Sequence, residues 1–235
     1  MQFGKVPAII SISIFLLVNS FTLARSEQKI DSIPHAMTYE ESFSGDDISV
    51  ILGGQISFKD KESKWHVYLS DQKLVMKNAN APDSLHHDDI QWVRYSGSKV
   101  LSSTEGAIIA VTIEAENNGL GAAGFIVGSG QRGKYWMFGI DGEGRFHVIQ
   151  KAGGKTYLVH SGKNKAIVKG QPSRLAYKMH QDNIVFFVNG TEIIQVPMGR
   201  LKSTRHGKLK LPGIGLAAFG LGIYKFDDVE IRSQD

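Results

Sequence analysis

Glu114 and Glu116 stand one residue apart at the end of an apolar, β-branched run, Ile108-Ile109-Ala110-Val111-Thr112-Ile113. Side chains of an extended strand alternate between faces, so both carboxylates share one face. Two carboxyls about 5 Å apart are what retaining glycoside hydrolysis needs, one as nucleophile and one as acid. The pair fits equally a solvent-facing strand end leading into the turn Asn117-Asn118-Gly119. Asp227 shares parity with Val229 and Ile231, which points one carboxylate inward among apolar neighbours. A buried carboxylate is costly unless partnered, and a salt bridge or a turn-type hydrogen bond would supply the partner. His86-His87-Asp88-Asp89 offers four adjacent metal-capable side chains. Adjacent residues rarely point at one ion, so this reads as a solvated loop, and His66, His87 or Asp89 would have to meet further ligands in three dimensions.

Sugar binding uses flat aromatic faces against a pyranose ring, with polar groups around the hydroxyls. By parity Trp136 and Tyr135 point to opposite faces of one strand, so at least one is a candidate for a concave sheet surface. Trp92, Tyr95 and Tyr177 are similar in kind, although Met137, Phe138 and Ile140 around Trp136 also suit core burial. Gly128-Ser129-Gly130-Gln131-Arg132-Gly133-Lys134 matches a dinucleotide glycine pattern and most of a phosphate loop. Both motifs need a helix N-terminus after the glycines, whereas β-rich residues 135–140 follow here. The segment is therefore expected to be a hairpin loop whose tip, Arg132, could touch a ligand. No Gly-x-Ser-x-Gly elbow occurs, and Asn189-Gly190-Thr191 is a glycosylation sequon that a tight hairpin also explains.

The elements that must position these residues are strands. Alternating or wholly apolar β-rich runs occupy residues 55–58, 66–69, 73–77, 90–95, 107–114, 122–127, 134–140, 145–150, 155–160, 174–180, 184–188, 192–196, 214–219 and 223–231. No segment keeps a helical period for three turns. Asp141-Gly142-Glu143-Gly144, Gln181-Asp182-Asn183 and Asn189-Gly190 separate apolar runs, as tight hairpins require where the backbone must reach positive φ. Many short strands without helices between them predict two packed antiparallel sheets or a barrel. With no repeat period or internal linker, one domain over residues 37–235 is the simplest organisation, after an N-terminal arm at 27–36.

Residues 1–26 read as a signal peptide: Lys5 supplies a positive n-region, residues 6–18 an apolar h-region too short to span a bilayer, and cleavage is expected near Ser26. A secreted or periplasmic product without a membrane span is the expectation. Of 235 residues, 42% are hydrophobic and 21% charged, so a real core can form. Cysteine is absent, which excludes disulfides, a lipobox anchor, zinc-thiolate sites and cysteine nucleophiles. The formal charge is +4, but the leader holds Lys5 and Arg25 and no acid, which leaves 25 basic against 23 acidic residues, or +2. General polyanion binding is not implied, and no nucleic-acid partner is expected. The acid-free run 199–211, with Arg200, Lys202, Arg205, Lys208 and Lys210, is a local exception that a solvated loop would explain.

Residues 124–231 carry a resemblance. Gly124-Phe125-Ile126-Val127, Tyr135-Trp136-Met137-Phe138-Gly139-Ile140, Asp141-Gly142-Glu143-Gly144-Arg145-Phe146, Arg174-Leu175-Ala176-Tyr177, Ile184-Val185-Phe186-Phe187-Val188-Asn189-Gly190 and Phe226-Asp227-Asp228-Val229-Glu230-Ile231 look like successive strands and turns of the concanavalin A-like lectin/glucanase superfamily, including its laminin G-like and 3-keto-disaccharide hydrolase-like branches. Glu41-Ser42-Phe43 and residues 65–77 match its first strands. The resemblance implies an all-β jelly-roll sandwich of two antiparallel sheets. Glucanases of that fold carry a denser acidic strand, Glu-x-Asp-x-x-Glu, and Asn117-Asn118-Gly119 stands where the third acid should be. Jelly-roll modules that hold a structural calcium imply one candidate set, Asp227, Asp228 and Glu41; otherwise no cofactor is required. The fold hosts lectins, glycosidases and adhesion modules, so function has to come from a site. A non-catalytic module for glycan or another extracellular ligand is the leading expectation, with a sugar-acting hydrolase or a protein-interaction module as alternatives.

Overall fold

The computed structural model describes residues 36–44, 64–79, 90–94, 108–129, 134–152, 154–180, 183–197, 203–205, 208–210 and 213–233. They form sixteen strands: β1 (Ala36–Glu41), β2 (Trp65–Ser70), β3 (Lys73–Asn78), β4 (Ile90–Arg94), β5 (Ile108–Glu116), β6 (Gly121–Ser129), β7 (Lys134–Ile140), β8 (Arg145–Ala152), β9 (Lys155–Lys163), β10 (Ser173–His180), β11 (Asn183–Val188), β12 (Thr191–Pro197), β13 (Ser203–Arg205), β14 (Lys208–Lys210), β15 (Gly213–Gly220) and β16 (Gly222–Ser233). Eight belong to one antiparallel sheet, ordered β12-β11-β10-β5-β16-β3-β2 with β1 also paired to β16. Six form the second, β4-β15-β6-β7-β8-β9, and β13-β14 is a separate ribbon. Among the described residues no helix is long and apolar enough to cross a membrane.

Period-two alternation puts one set of side chains between the sheets. From the eight-stranded sheet come Ile109, Val111 and Ile113 of β5, Leu175, Tyr177 and Met179 of β10, and Ile184, Phe186 and Val188 of β11. From the six-stranded sheet come Phe125 and Val127 of β6, Trp136, Phe138 and Ile140 of β7, and Leu216 of β15. Aromatic rings join the layers: Phe138 stacks on Phe186 with centroids 4.5 Å apart, and Phe125 meets Tyr177 edge-on at 5.3 Å. Such pairs add to the area they bury, and truncating one to alanine in a sealed core costs about 3–5 kcal/mol.

Turn chemistry sets the register. Asn189 and Gly190 have φ of 48° and 78°, as a two-residue hairpin between β11 and β12 demands. Asn189 also works within the fold, since its Nδ2 donates to the Ala166 carbonyl and its Oδ1 accepts the Arg174 amide. That accounts for the sequon asparagine structurally. The glycine-rich segment 128–134 joins β6 to antiparallel β7, with Ser129 opposite Lys134, so a strand follows the glycines as expected. Strand pairing also fixes Gly124: a Cβ there would stand 1.8 Å from the Phe138 carbonyl oxygen, so any larger residue must push β6 and β7 apart.

The leader, the arm up to residue 35, the run at 55–58, the loop His86-His87-Asp88-Asp89, Tyr95 and Arg132 lie outside the described residues. The basic run 199–211 contributes the backbone of the β13-β14 ribbon.

Candidate functional site

The faces that turn away from the core carry the chemistry. On the six-stranded sheet, the residues of β7 out of phase with Trp136, Phe138 and Ile140 are Tyr135, Met137 and Gly139, with Asp141 next in the turn. Met137 is buried against Ile90, Ala122, Ile126, Ile149, Ala217 and Phe219, with Trp92 of β4 and Tyr135 partly buried against the same cluster. The Lys151 ammonium lies 5.7 Å from the centre of the Tyr135 ring, within cation–π range.

Asp141 and His147 close the β7–β8 hairpin end of this face. One Asp141 oxygen accepts the amides of Glu143 and Arg145, both at 2.9 Å, and this ties down the turn. The other lies 3.0 Å from His147 Nε2 and 3.6 Å from Arg145 Nε. His147 is only 1% exposed, and its Nδ1 stands 3.3 Å from Ser161 Oγ on β9. With the proton on Nε2, donated to Asp141, Nδ1 accepts the serine hydroxyl proton. The ring has room because Gly139 and then Gly124 stand beside it in register, and it meets Phe219 edge-on at 5.9 Å. Burial pushes the Asp141 carboxyl up, but hydrogen bonds from His147 and from the Arg145 and Glu143 amides outweigh it and hold the group below its ordinary value. The buried carboxylate and imidazole thereby orient the hydroxyl of Ser161, an exposed residue at the β9 edge of this face.

Of the aromatics expected to contact ligand, Tyr135 and Trp92 are brought to one face. Trp136 and Tyr177 are a correction: they are 5% and 0% exposed between the sheets, because they share parity with Phe138 and with Leu175 and Met179. The Tyr177 hydroxyl has no hydrogen-bond partner among the described residues, and burial pushes its pKa well up.

Glu114 and Glu116 do share a face, on the outer side of the other sheet. The Lys225 ammonium of β16 bridges them, 3.4 Å from Glu114 and hydrogen-bonded to Glu116, and Lys73 approaches Glu114 to 3.5 Å. The Glu116 hydrogen bond, with the charge of both carboxylates, raises the Lys225 pKa. Glu116 and Asn117 border an open depression of about 290 Å³ at the sheet end. Asn117 itself is tied into the turns: its Oδ1 accepts the Gly119 and Gly142 amides and its Nδ2 donates to the Gly121 carbonyl and Tyr224 hydroxyl.

Asp227 does not face inward as the unbroken alternation predicted. The β16–β5 register shifts between Asp227 and Glu230, and Asp228 sits at φ 48°. A bulge inserts one residue and reverses parity beyond it, so Phe226 and Val229 both enter the core while Asp227 stays partly exposed. Its Oδ1 accepts the Asp228 amide, and Arg174 donates to the Asp228 carbonyl. Glu41 pairs with Val229 in backbone register. Two adjacent carboxylates, one already capping the other's amide, are a poor start for a cage of six to eight oxygens. Among the described residues no three acidic, histidine or cysteine side chains come together as a metal site.

The chain matches no family model and no curated protein at a significant level. Solved structures do align with it. A carbohydrate-binding module, CBM66 of Bacillus subtilis, superposes with a TM-score of 0.50 at 11% identity, over 75% of this chain and 100% of the module. A B. subtilis protein of unknown function with a galectin-like fold gives 0.54 at 10%, over 85% and 97% of the two chains. A non-specific endo-β-1,3(4)-glucanase of family GH16 gives 0.56 at 10%, over 86% and 93%. The chain has the concanavalin A-like lectin/glucanase fold. That fold is shared by carbohydrate-binding modules and glycanases, and identities this low specify shape alone.

The Asp141–His147–Ser161 chain escaped the sequence reading. Its signal was present: Asp141 and His147 bracket the hairpin turn with the parity that sends both to the face of Tyr135.

Proposed function

We propose that the chain is an exported, secreted or periplasmic, non-catalytic module that binds carbohydrate on the outer face of the six-stranded sheet. The observation that carries the reading is the placement of Trp92 and Tyr135 on that face, flanking one apolar cluster, with Ser161 at the far edge of the same face. Partly exposed aromatic faces on an otherwise apolar surface suit the flat side of a pyranose, whose hydroxylated edge would meet the polar groups at the sheet margin. The shared fold of carbohydrate-binding modules and glycanases supports the same class of ligand. A binding role is favoured over hydrolysis because the carboxylate pair Glu114 and Glu116 lies on the opposite sheet and is bridged by Lys225.

The test is a glycan titration of the protein with Trp92→Ala and Tyr135→Ala, each checked for a native near-ultraviolet spectrum. Loss of about tenfold or more in affinity from either is expected of an aromatic anchor. Unchanged affinity in both folded variants would remove this face from consideration. Glycoside turnover lost on Glu114→Gln or Glu116→Gln would instead establish a hydrolase.

A further inference from the structure

The net charge of the chain conceals a strong segregation. Residues 145–181 contain no aspartate or glutamate, and they build β8, β9, the connection that follows and β10 of the other sheet. Strand register sorts the cations of β8 and β9 to two ends of the pair. Arg145 lies opposite Lys163 at one end, while Lys151 and Lys155 lie at the other, Lys155 opposite Ala152. Six residues of extended chain from Arg145 to Lys151 cover about 20 Å. Arg145 and Lys169 have carboxylate neighbours, Asp141 and Glu143. Lys155, Lys163 and Lys165 make no ion pair among the described residues.

Between the two cationic ends β9 is exposed on both of its faces: Leu158, opposite Ile149, lies on the Tyr135 side, Tyr157, opposite Gln150, on the other, and Val159 in the bulge, at 42%, 48% and 46% exposure, followed by exposed His160 and Ser161. Lysines alone would be a solvated edge. Cations at two ends of an exposed edge that offers apolar and hydrogen-bonding side chains between them, and that meets the ring of Tyr135 through Lys151, match a linear ligand that repeats both negative charge and apolar faces. A single anion would need one end only. An added peptide strand suits β9 less, because the register shift at Val148/Ile149 leaves Val159 as an extra residue and kinks the edge.

Resting on the carbohydrate-binding reading, we infer that the glycan is polyanionic, carrying carboxylates or sulfates that the β8–β9 margin receives. Attraction of this kind is screened by salt, whereas aromatic stacking is not. The experiment titrates the full chain with a polyuronate, a sulfated glycan, an uncharged β-glucan of similar length and poly-glutamate, at low and physiological ionic strength.

Preference of about tenfold or more for one of the charged glycans, weakened by salt, is expected, and the tighter of the two names the acid. Lys155→Gln with Lys163→Gln should abolish that preference and its salt dependence, while Lys178→Gln on the other sheet should change neither. Salt-insensitive binding of the β-glucan at equal affinity would overturn this inference and leave the carbohydrate reading standing. Equal capture of poly-glutamate would overturn it in favour of plain charge attraction or a peptide partner. No binding of any glycan would overturn both readings.

Discussion

The two sheets share a core and an alternation, yet their outer faces handle charge in opposite ways. On the eight-stranded sheet acids and bases alternate across neighbouring strands: Lys73 and Lys225 pair with Glu114, Lys225 with Glu116, and Arg174 and Arg232 with Glu230 at 2.8 and 2.6 Å. Along these ladders the face neutralises itself, with Lys178 standing outside them. On the six-stranded sheet one buried carboxylate, Asp141, is committed to its turn and to His147, and the cations beyond it gather on the β8–β9 margin. A charged face that satisfies itself has little left to offer a ligand. Function is therefore sought where complementary charge is missing from the chain itself.

The sharpest way to probe the difference is to delete one carboxylate from each face. Asp141→Ala removes the acceptor of two backbone amides and of a buried imidazole, and breaking such a buried arrangement should cost about 3 kcal/mol. Urea denaturation checks this, and a cost under about 1 kcal/mol would mean that the Asp141 chain is no more structural than the exposed ladder. Acid should expose the same contrast more gently. The folded Asp141 carboxyl titrates below its ordinary 3.8, so its contribution is complete above that value and is lost as pH falls through the lowered folded pKa. Stability measured from pH 5 downward should decline more steeply for the native chain than for Asp141→Asn. Equal slopes would assign acid sensitivity to other carboxylates.

Core chemistry offers a smaller change, of opposite sign. The Tyr177 hydroxyl is buried without a partner among the described residues, so Tyr177→Phe should leave stability unchanged or raise it by about 1 kcal/mol. A marked loss in thermal denaturation would reveal a hydrogen bond made by that hydroxyl.

The strands were legible because each turn announced itself. Asn189-Gly190 and Asp141-Gly142-Glu143-Gly144 fix where chains reverse, and alternation between them does the rest. Faces were harder. Parity separates Tyr135 from Trp136 but does not by itself say which set is inside; Phe138 and Ile140 on one side, against Gly139 and Asp141 on the other, settle it. The bulge at Asp227 and Asp228 was invisible because one extra residue leaves composition untouched while reversing every side chain beyond it. The Asp141–His147 pair needed two strands to be placed side by side, a relation no single run contains.

Glu114 and Glu116 supply the weakest perturbation and the closing check on the comparison. Both carboxylates are partly exposed and share Lys225, so each competes for an ammonium that the other can satisfy. Pairs of this kind contribute from nothing to about 1 kcal/mol, less in salt. Glu114→Gln should therefore shift the urea midpoint only slightly, and the shift should shrink further as salt is added. In the double variant with Glu116→Gln the Lys225 ammonium loses both partners, which makes the outer face of the eight-stranded sheet basic like the β8–β9 margin. If glycan affinity then rose, charge alone would recruit the ligand. If it stayed where it was, the aromatic and apolar surface beside the margin must be what tells the two faces apart.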